Sequence, residues 1–163
     1  MTIRLSKISL LLAVALFFTL VVFNNVTDYE SNHQFVRHTL SMDTTFPNNR
    51  GLWRAIQNPA LQTLFYVTII LWEAVTGVLC WWGAIPLLRT LKSPAAAFNA
   101  AKPIAIAALT LGLLLWFVAF LTVGGEWFLM WQSAVWNGQQ AATRMFTILA
   151  LILLYLASPE PQN

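Results

Sequence analysis

The chain has 163 residues, of which 58% are apolar and 9% charged, and its formal net charge is +3. A typical globular chain carries about 25% charged residues, so nine basic and six acidic side chains cannot coat a particle of this size in water and lipid must cover part of it. The small net charge, without a dense basic cluster, excludes a nucleic-acid binder, and one cysteine excludes an internal disulfide and a thiolate zinc site.

The first apolar run, Ile8 to Phe23, follows Arg4 and Lys7, the pattern that opens a signal peptide. Its exit, Val21 to Asn25, lacks the small-x-small pair that signal peptidase needs. An uncleaved signal anchor is expected, with its basic end in the cytoplasm. The stretch from Asn24 to Asn58 is too long for a bare connector. Phe35, Val36, Thr39 and Leu40 share one face of a helical wheel ahead of a turn at Phe46 to Asn49, which predicts a short amphipathic helix on the outer leaflet.

Asn58 as N-cap and Pro59 in the first turn start the second span. Leu61 to Trp82 holds one charge, Glu73, and is about 33 Å long as a helix, enough for a hydrocarbon core of about 30 Å. Trp81 and Trp82 sit where an aromatic belt belongs, and Pro86, Arg89 and Lys92 mark the exit. The third span runs without charge from Pro103 to Val123 and is expected to stop at Gly124-Gly125. Trp127, Met130, Trp131 and Ala134 recur at helical spacing, so Glu126 to Asn137 is a second interfacial candidate.

Phe146 to Ala157 gives only about 18 Å of helix, too short to span. Either the segment is re-entrant or, as is favoured, a full span begins near Gly138, which brings Gln139, Gln140 and Arg144 inside the membrane or to its rim, turned inward toward protein. The tail Ser158 to Asn163 is expected to be disordered. The fold class is therefore all-α: one polytopic membrane domain over residues 1–163, with spans near 7–24, 60–84, 103–123 and 138–157 and a structured periplasmic loop at 25–59. Arg4, Lys7, Arg89, Lys92 and Lys102 fall on one side, Arg37, Arg50, Arg54 and Arg144 on the other. The second connection has basic residues and no acid, so the positive-inside rule places both termini in the cytoplasm.

Two stretches are distinctive: Asn32 to Ile56, with Phe35-Val36-Arg37-His38, Ser41 to Phe46 and Trp53 to Ile56, and Gly124 to Asn137, with Gly124-Gly125-Glu126-Trp127-Phe128. In both the chain resembles the bacterial family of predicted small integral membrane proteins known as domain of unknown function DUF2165. The resemblance covers nearly the whole chain. It implies four transmembrane helices in a bacterial inner membrane and carries over no activity and no catalytic residue.

Glu73 is the residue of most chemical promise, since an ionisable group near the bilayer midplane is expensive. Its helical neighbours Tyr66, Ile69, Ile70, Thr76, Gly77 and Cys80 form a smaller and more polar stripe than the opposite face, so it should point into the bundle. It is either a titrating or ligand-binding carboxylate or a packing residue that fixes helix register. Arg144 is its expected charged partner through paired hydrogen bonds, and Glu126 competes for that arginine. His33 and His38 are five residues apart, lie outside every span and are expected to be solvated; they offer no haem ligation between membrane helices. Cys80 reads as a small core residue.

No catalytic serine motif, phosphate-binding glycine loop or glycosidase-type carboxylate pair occurs, so neither enzyme activity, cofactor nor metal is expected. Ala101, Ala105, Ala108, Gly112 and Ala119 form a small-residue seam for helix packing, within the chain or against another. Trp53, Trp127, Trp131 and Trp136 should gather at the outer interface as a belt or docking surface. These features favour an accessory or assembly subunit that binds a larger membrane protein complex. The alternative is a small proton-coupled transporter or ligand-binding module using Glu73 and Arg144.

Overall fold

In a computed structural model, residues 1–160 are described, and among them every regular element is a helix. We number the six main helices α1 (Thr2–Thr27), α2 (Tyr29–Ser41), α3 (Pro59–Arg89), α4 (Ala95–Ala100), α5 (Pro103–Trp127) and α6 (Gln139–Ala157). Four of them, α1, α3, α5 and α6, are long and apolar enough to cross a membrane. The chain is a multi-pass integral membrane protein.

A seven-residue rhythm organises the bundle. Leu11, Phe18 and Asn25 line the buried face of α1; Tyr66, Glu73, Cys80 and Leu87 that of α3; Ala142, Leu149 and Leu156 that of α6. A spacing of seven returns to nearly the same side of a helix, which keeps one seam facing a neighbour over the full crossing. α3 lies at the centre, packed on α1 along one side and α5 along the other. Lipid supplies no hydrophobic drive between helices, so close backbone approach must hold them. A Cβ on Gly83 would stand 2.8 Å from the backbone nitrogen of Ala105, and only glycine permits that approach. Of the small-residue seam, Ala105, Ala108 and Gly112 are buried inside the bundle, and Ala101 and Ala119 are half-buried against it.

Helix α2 covers one end of the bundle, which we call the cap. Val36, Leu40 and Met42 bury against Tyr66 and Phe128, so the amphipathic face expected on the membrane surface rests on protein instead. The hydrogen bond from Ile56 N to Leu40 O (2.8 Å) and that from Gln62 Nε2 to Ile56 O (2.7 Å) fasten the loop to α3. Gln132 Oε1 accepts from Phe46 N (3.2 Å) and Asn49 Nδ2 (3.1 Å), which joins the first and third connections.

Three further expectations need correction. Gly124-Gly125 does not end α5, which continues from Leu115 to Trp127 as a π-helix. The wider turns are visible as i to i−5 hydrogen bonds, Phe128 N to Val123 O (2.9 Å) and Thr122 Oγ1 to Phe117 O (2.9 Å). Both glycines are buried; a Cβ on Gly125 would stand 2.7 Å from Gln139 Nε2, and one on Gly124 3.6 Å from Met130 Cε. Glu126 to Asn137 is mostly loop beyond Trp127, with one short helical turn at Met130–Gln132, because Leu129 takes a left-handed conformation (φ 54°) that breaks the helix. Finally, Ser158 to Glu160 is not loose: Glu160 is buried at the end opposite the cap, the base, and Glu160 N donates to Asn99 Oδ1 (3.0 Å). The rest of the tail, Pro161 to Asn163, lies outside the described residues.

Candidate functional site: a polar chamber beneath the cap

Glu73 is the fifteenth residue of α3, about 21 Å along the helix from Pro59. It is 3% exposed and faces α1. Asn25 Nδ2 donates to Glu73 Oε2 at 2.7 Å. Asn25 in turn accepts on Oδ1 from Asn32 Nδ2 (2.7 Å) and from Tyr66 Oη (3.3 Å), which also reaches Asn25 O at 3.3 Å. Local backbone explains the meeting. α1 stays helical past the polar pair Asn24-Asn25, then breaks at Asp28 (φ −120°, ψ 57°), and α2 folds Asn32 back over the end of α1. Tyr66 stands two turns from Glu73 on the same face of α3, and its ring packs edge-on against Tyr29 at 4.8 Å.

The carboxylate lines a cavity of about 230 Å³ bounded by α1, α3, α5 and the start of α6, with Asn32, Phe35 and Val36 as its roof. A second cavity of about 220 Å³, lined by apolar side chains apart from Thr39 and Thr68, lies under the same roof toward Phe65, Trp72 and Phe128. Phe35, Val36, Ile69 and Phe120 line both, so the two cavities adjoin, and Asn25, Asn32, Tyr66 and Glu73 give the first its few polar groups.

Arg144 is not the partner of Glu73. The buried line of α6 is Ala142, Leu149 and Leu156, and Arg144, two residues past Ala142, is turned about 200° around the helix onto an exposed face. Among the described residues no cation lies within salt-bridge distance of Glu73. Glu126 is exposed at the cap end of α5 and does not reach Glu73 or Arg144. Sequence reasoning missed Asn25 and Asn32 because Asn25 stood as the exit of the first span. The signal was the heptad line: Asn25 continues Leu11 and Phe18, and Asn32 follows seven residues later.

The histidines are half-buried, not solvated. His33 packs against the rings of Tyr29 (5.2 Å) and Tyr66 (5.6 Å), and its Nδ1 has no hydrogen-bond partner among the described residues. His38 stacks on Trp136 at 4.7 Å and bonds to Asp43 (2.8 Å). Among the described residues no three His, Cys, Asp or Glu side chains could hold a metal. Cys80 is buried and unpaired.

Of the four tryptophans, Trp53 and Trp127 come together edge-to-face at 5.8 Å and remain 73% and 49% exposed. The Arg54 guanidinium lies over both rings, at 5.4 and 5.1 Å. Trp131 stands apart against Phe46, and Trp136 is taken up by His38 and Phe35.

A carboxylate at mid-span is costly to hold ionised without a partner, and this one receives one neutral amide donor. A hydrogen-bond donor or a positively charged group in the cavity would complete its shell. No curated protein and no solved structure matches the chain. The chain belongs to the family described as predicted small integral membrane protein (DUF2165), whose model matches residues 3–159.

Proposed function

We propose that this protein is a non-enzymatic binding module within the membrane, and that Glu73, backed by Asn25, Asn32 and Tyr66, recognises the head of a membrane-dissolved amphiphile bearing an amine or hydroxyl group. One observation carries the reading: a buried carboxylate faces a cavity, bonded to a neutral amide and to no cation. The adjoining apolar compartment suits the ligand's tail, since sites of this kind pair a few polar groups with an apolar lining. Proton-coupled transport would be an extension of the same site, with Glu73 carrying the proton.

A second reading, an accessory subunit of a larger membrane complex, is favoured by the exposed Trp53–Arg54–Trp127 stack, because tryptophan and arginine dominate binding hot spots. For either role we place the chain in a bacterial inner membrane with both termini cytoplasmic, on the strength of Arg4, Lys7 and the basic second connection. Reporter fusions after Asn32, Ser93, Asn137 and Asn163 should read out, in, out, in; a periplasmic signal at Ser93 overturns that orientation.

One purification tests both functions. The parent, Glu73→Gln and the double variant Trp53→Ala/Trp127→Ala are isolated in mild detergent, and co-purifying chains and solvent-extractable molecules are identified by mass spectrometry. The proposal expects an amine- or hydroxyl-bearing amphiphile that Glu73→Gln loses and the tryptophan variant keeps. An identical set of small molecules from all three proteins overturns it. A stoichiometric chain lost only from the tryptophan variant supports the second reading.

A further inference from the structure

At the base of the bundle, remote from Glu73, Arg4 and Lys7 of α1 and Lys102 just ahead of α5 converge on Glu160. Lys7 is 1% and Lys102 3% exposed. Lys7 Nζ donates to Glu160 Oε1 (2.6 Å) and to Ser158 O (2.7 Å). Lys102 Nζ donates to Ser158 O (2.6 Å) and stands 3.8 Å from Glu160 Oε1. Arg4 Nε is 3.7 Å from Glu160 Oε2. Among the described residues, one carboxylate thus answers three cations, two of them almost wholly buried.

Buried charges ordinarily come balanced, and among the described residues this pocket carries an excess of positive charge. Each cation also has anchors other than the Glu160 carboxylate, Ser158 O for both lysines among them. Arg4 Nη1 is held by Leu91 O (3.0 Å) and Ser93 O (2.6 Å), with its guanidinium over the Phe98 ring at 4.9 Å. Lys102 also lies over Phe98 (5.7 Å), and Lys7 over Tyr155 (5.5 Å). Glu160, by contrast, sits three residues past the end of α6, outside any helix, so its departure would require no helix to unwind. A phosphate group offers more acceptor oxygens than a carboxylate and fits three donors better. Basic pockets between membrane helices, near the bilayer surface, are also where lipid phosphates lie.

We propose that Arg4, Lys7 and Lys102 form a phosphate site, which the chain's own Glu160 fills as a tethered stand-in and from which a lipid headgroup phosphate or free phosphate displaces it. The stand-in holds the tail against α1 and α5; displacement frees it.

The full chain is reconstituted in bilayer discs of phosphatidylcholine with or without phosphatidylglycerol, and separately titrated with inorganic phosphate. A tethered competitor acts at about millimolar effective concentration. Glu160→Gln, which removes its charge and keeps its size, should therefore raise retention of phosphatidylglycerol, by native mass spectrometry, about tenfold, and Lys102→Gln should lower it. In the parent, phosphatidylglycerol should speed hydrogen exchange of the Glu160 amide relative to pure phosphatidylcholine, a readout that requires no variant to fold. Phosphatidylglycerol acting where millimolar phosphate does not identifies a lipid source; phosphate acting alone in phosphatidylcholine discs identifies a free one. If neither probe changes tail exchange in the parent, Glu160 is a permanent ion-pair partner and the proposal falls.

Discussion

Among its described residues the protein buries two carboxylates and treats them in opposite ways. Glu160, at the base, faces three cations; Glu73, beneath the cap, has one asparagine amide and a cavity. Burial alone would push the Glu160 carboxyl above the usual carboxylate range. The hydrogen bond and charge of Lys7, with the charges of Lys102 and Arg4, outweigh it and bring the group below that range. Nothing comparable surrounds Glu73. The contrast teaches that burial does not assign a role: one carboxylate is satisfied by its own chain, and the other is left with capacity for something else.

The largest expected effect is at the base. Glu160→Leu leaves Lys7 and Lys102 buried without a counter-charge, and stranding a buried charge costs about 3–5 kcal/mol. Reversible unfolding by denaturing detergent should show a loss of that order. Glu73→Leu strands no cation. It removes one hydrogen bond and leaves the Asn25 amide without an acceptor, so about 1–3 kcal/mol is expected in the same assay. A larger loss for Glu73→Leu than for Glu160→Leu would reverse the comparison and make Glu73 the structural carboxylate.

How much of this was legible follows the same division. The second and third spans were, because long apolar stretches have few alternative fates; the first and fourth had to be extended over flanking polar residues to reach a full crossing. Glu73 was placed in the interior correctly, since Tyr66, Glu73 and Cys80 recur at seven and their stripe is small and polar. Its partner was not legible. Counting along the helices brought Arg144 within side-chain reach of Glu73, but depth along a helix says nothing of rotation, and α6 is rotated to bury Ala142 and Leu149 instead. The base cluster was missed for a different reason. A Ser-Pro-Glu-Pro tail reads as disordered by composition, and only the folded chain shows that two separate segments, α1 and the residue ahead of α5, aim three cations at one point. The continuation of α5 through two glycines was likewise not legible, since it goes with their burial in the packed bundle.

The pH dependence should also divide the two ends. Burial and the charge of Lys7 bring Lys102 down from 10.5 to about 8, against the opposing pull of Glu160. Between about pH 8 and 10.5 the unfolded chain holds the Lys102 proton and the folded chain has released it, so stability rises with pH across that window. Glu160 contributes stability above its ordinary pKa of 4.5, lost as pH falls through its lower folded value. The parent should therefore gain stability above about pH 8 relative to Lys102→Met, and weaken in acid relative to Glu160→Gln. Coincident pH profiles for the parent and both variants would show that the base cluster does not control this dependence.

The smallest effect, at Tyr66, separates two ways of building the chamber. Its hydroxyl meets Asn25 O and Oδ1 at 3.3 Å each, long for a hydroxyl donor, while Asn32 supplies Oδ1 with a second donor at 2.7 Å. Tyr66→Phe keeps the ring packed on Tyr29 and removes only the weaker donor, so a loss of about 0.5 kcal/mol is expected, at the low end for a net hydrogen bond. Asn25 would still present its amide to Glu73, and ligand retention should change less than in Glu73→Gln. A loss equal to that of Glu73→Leu would mean that the tyrosine, not Asn32, orients Asn25. The recognition group would then be a Tyr66–Asn25–Glu73 chain, with the cap helix serving only as its roof.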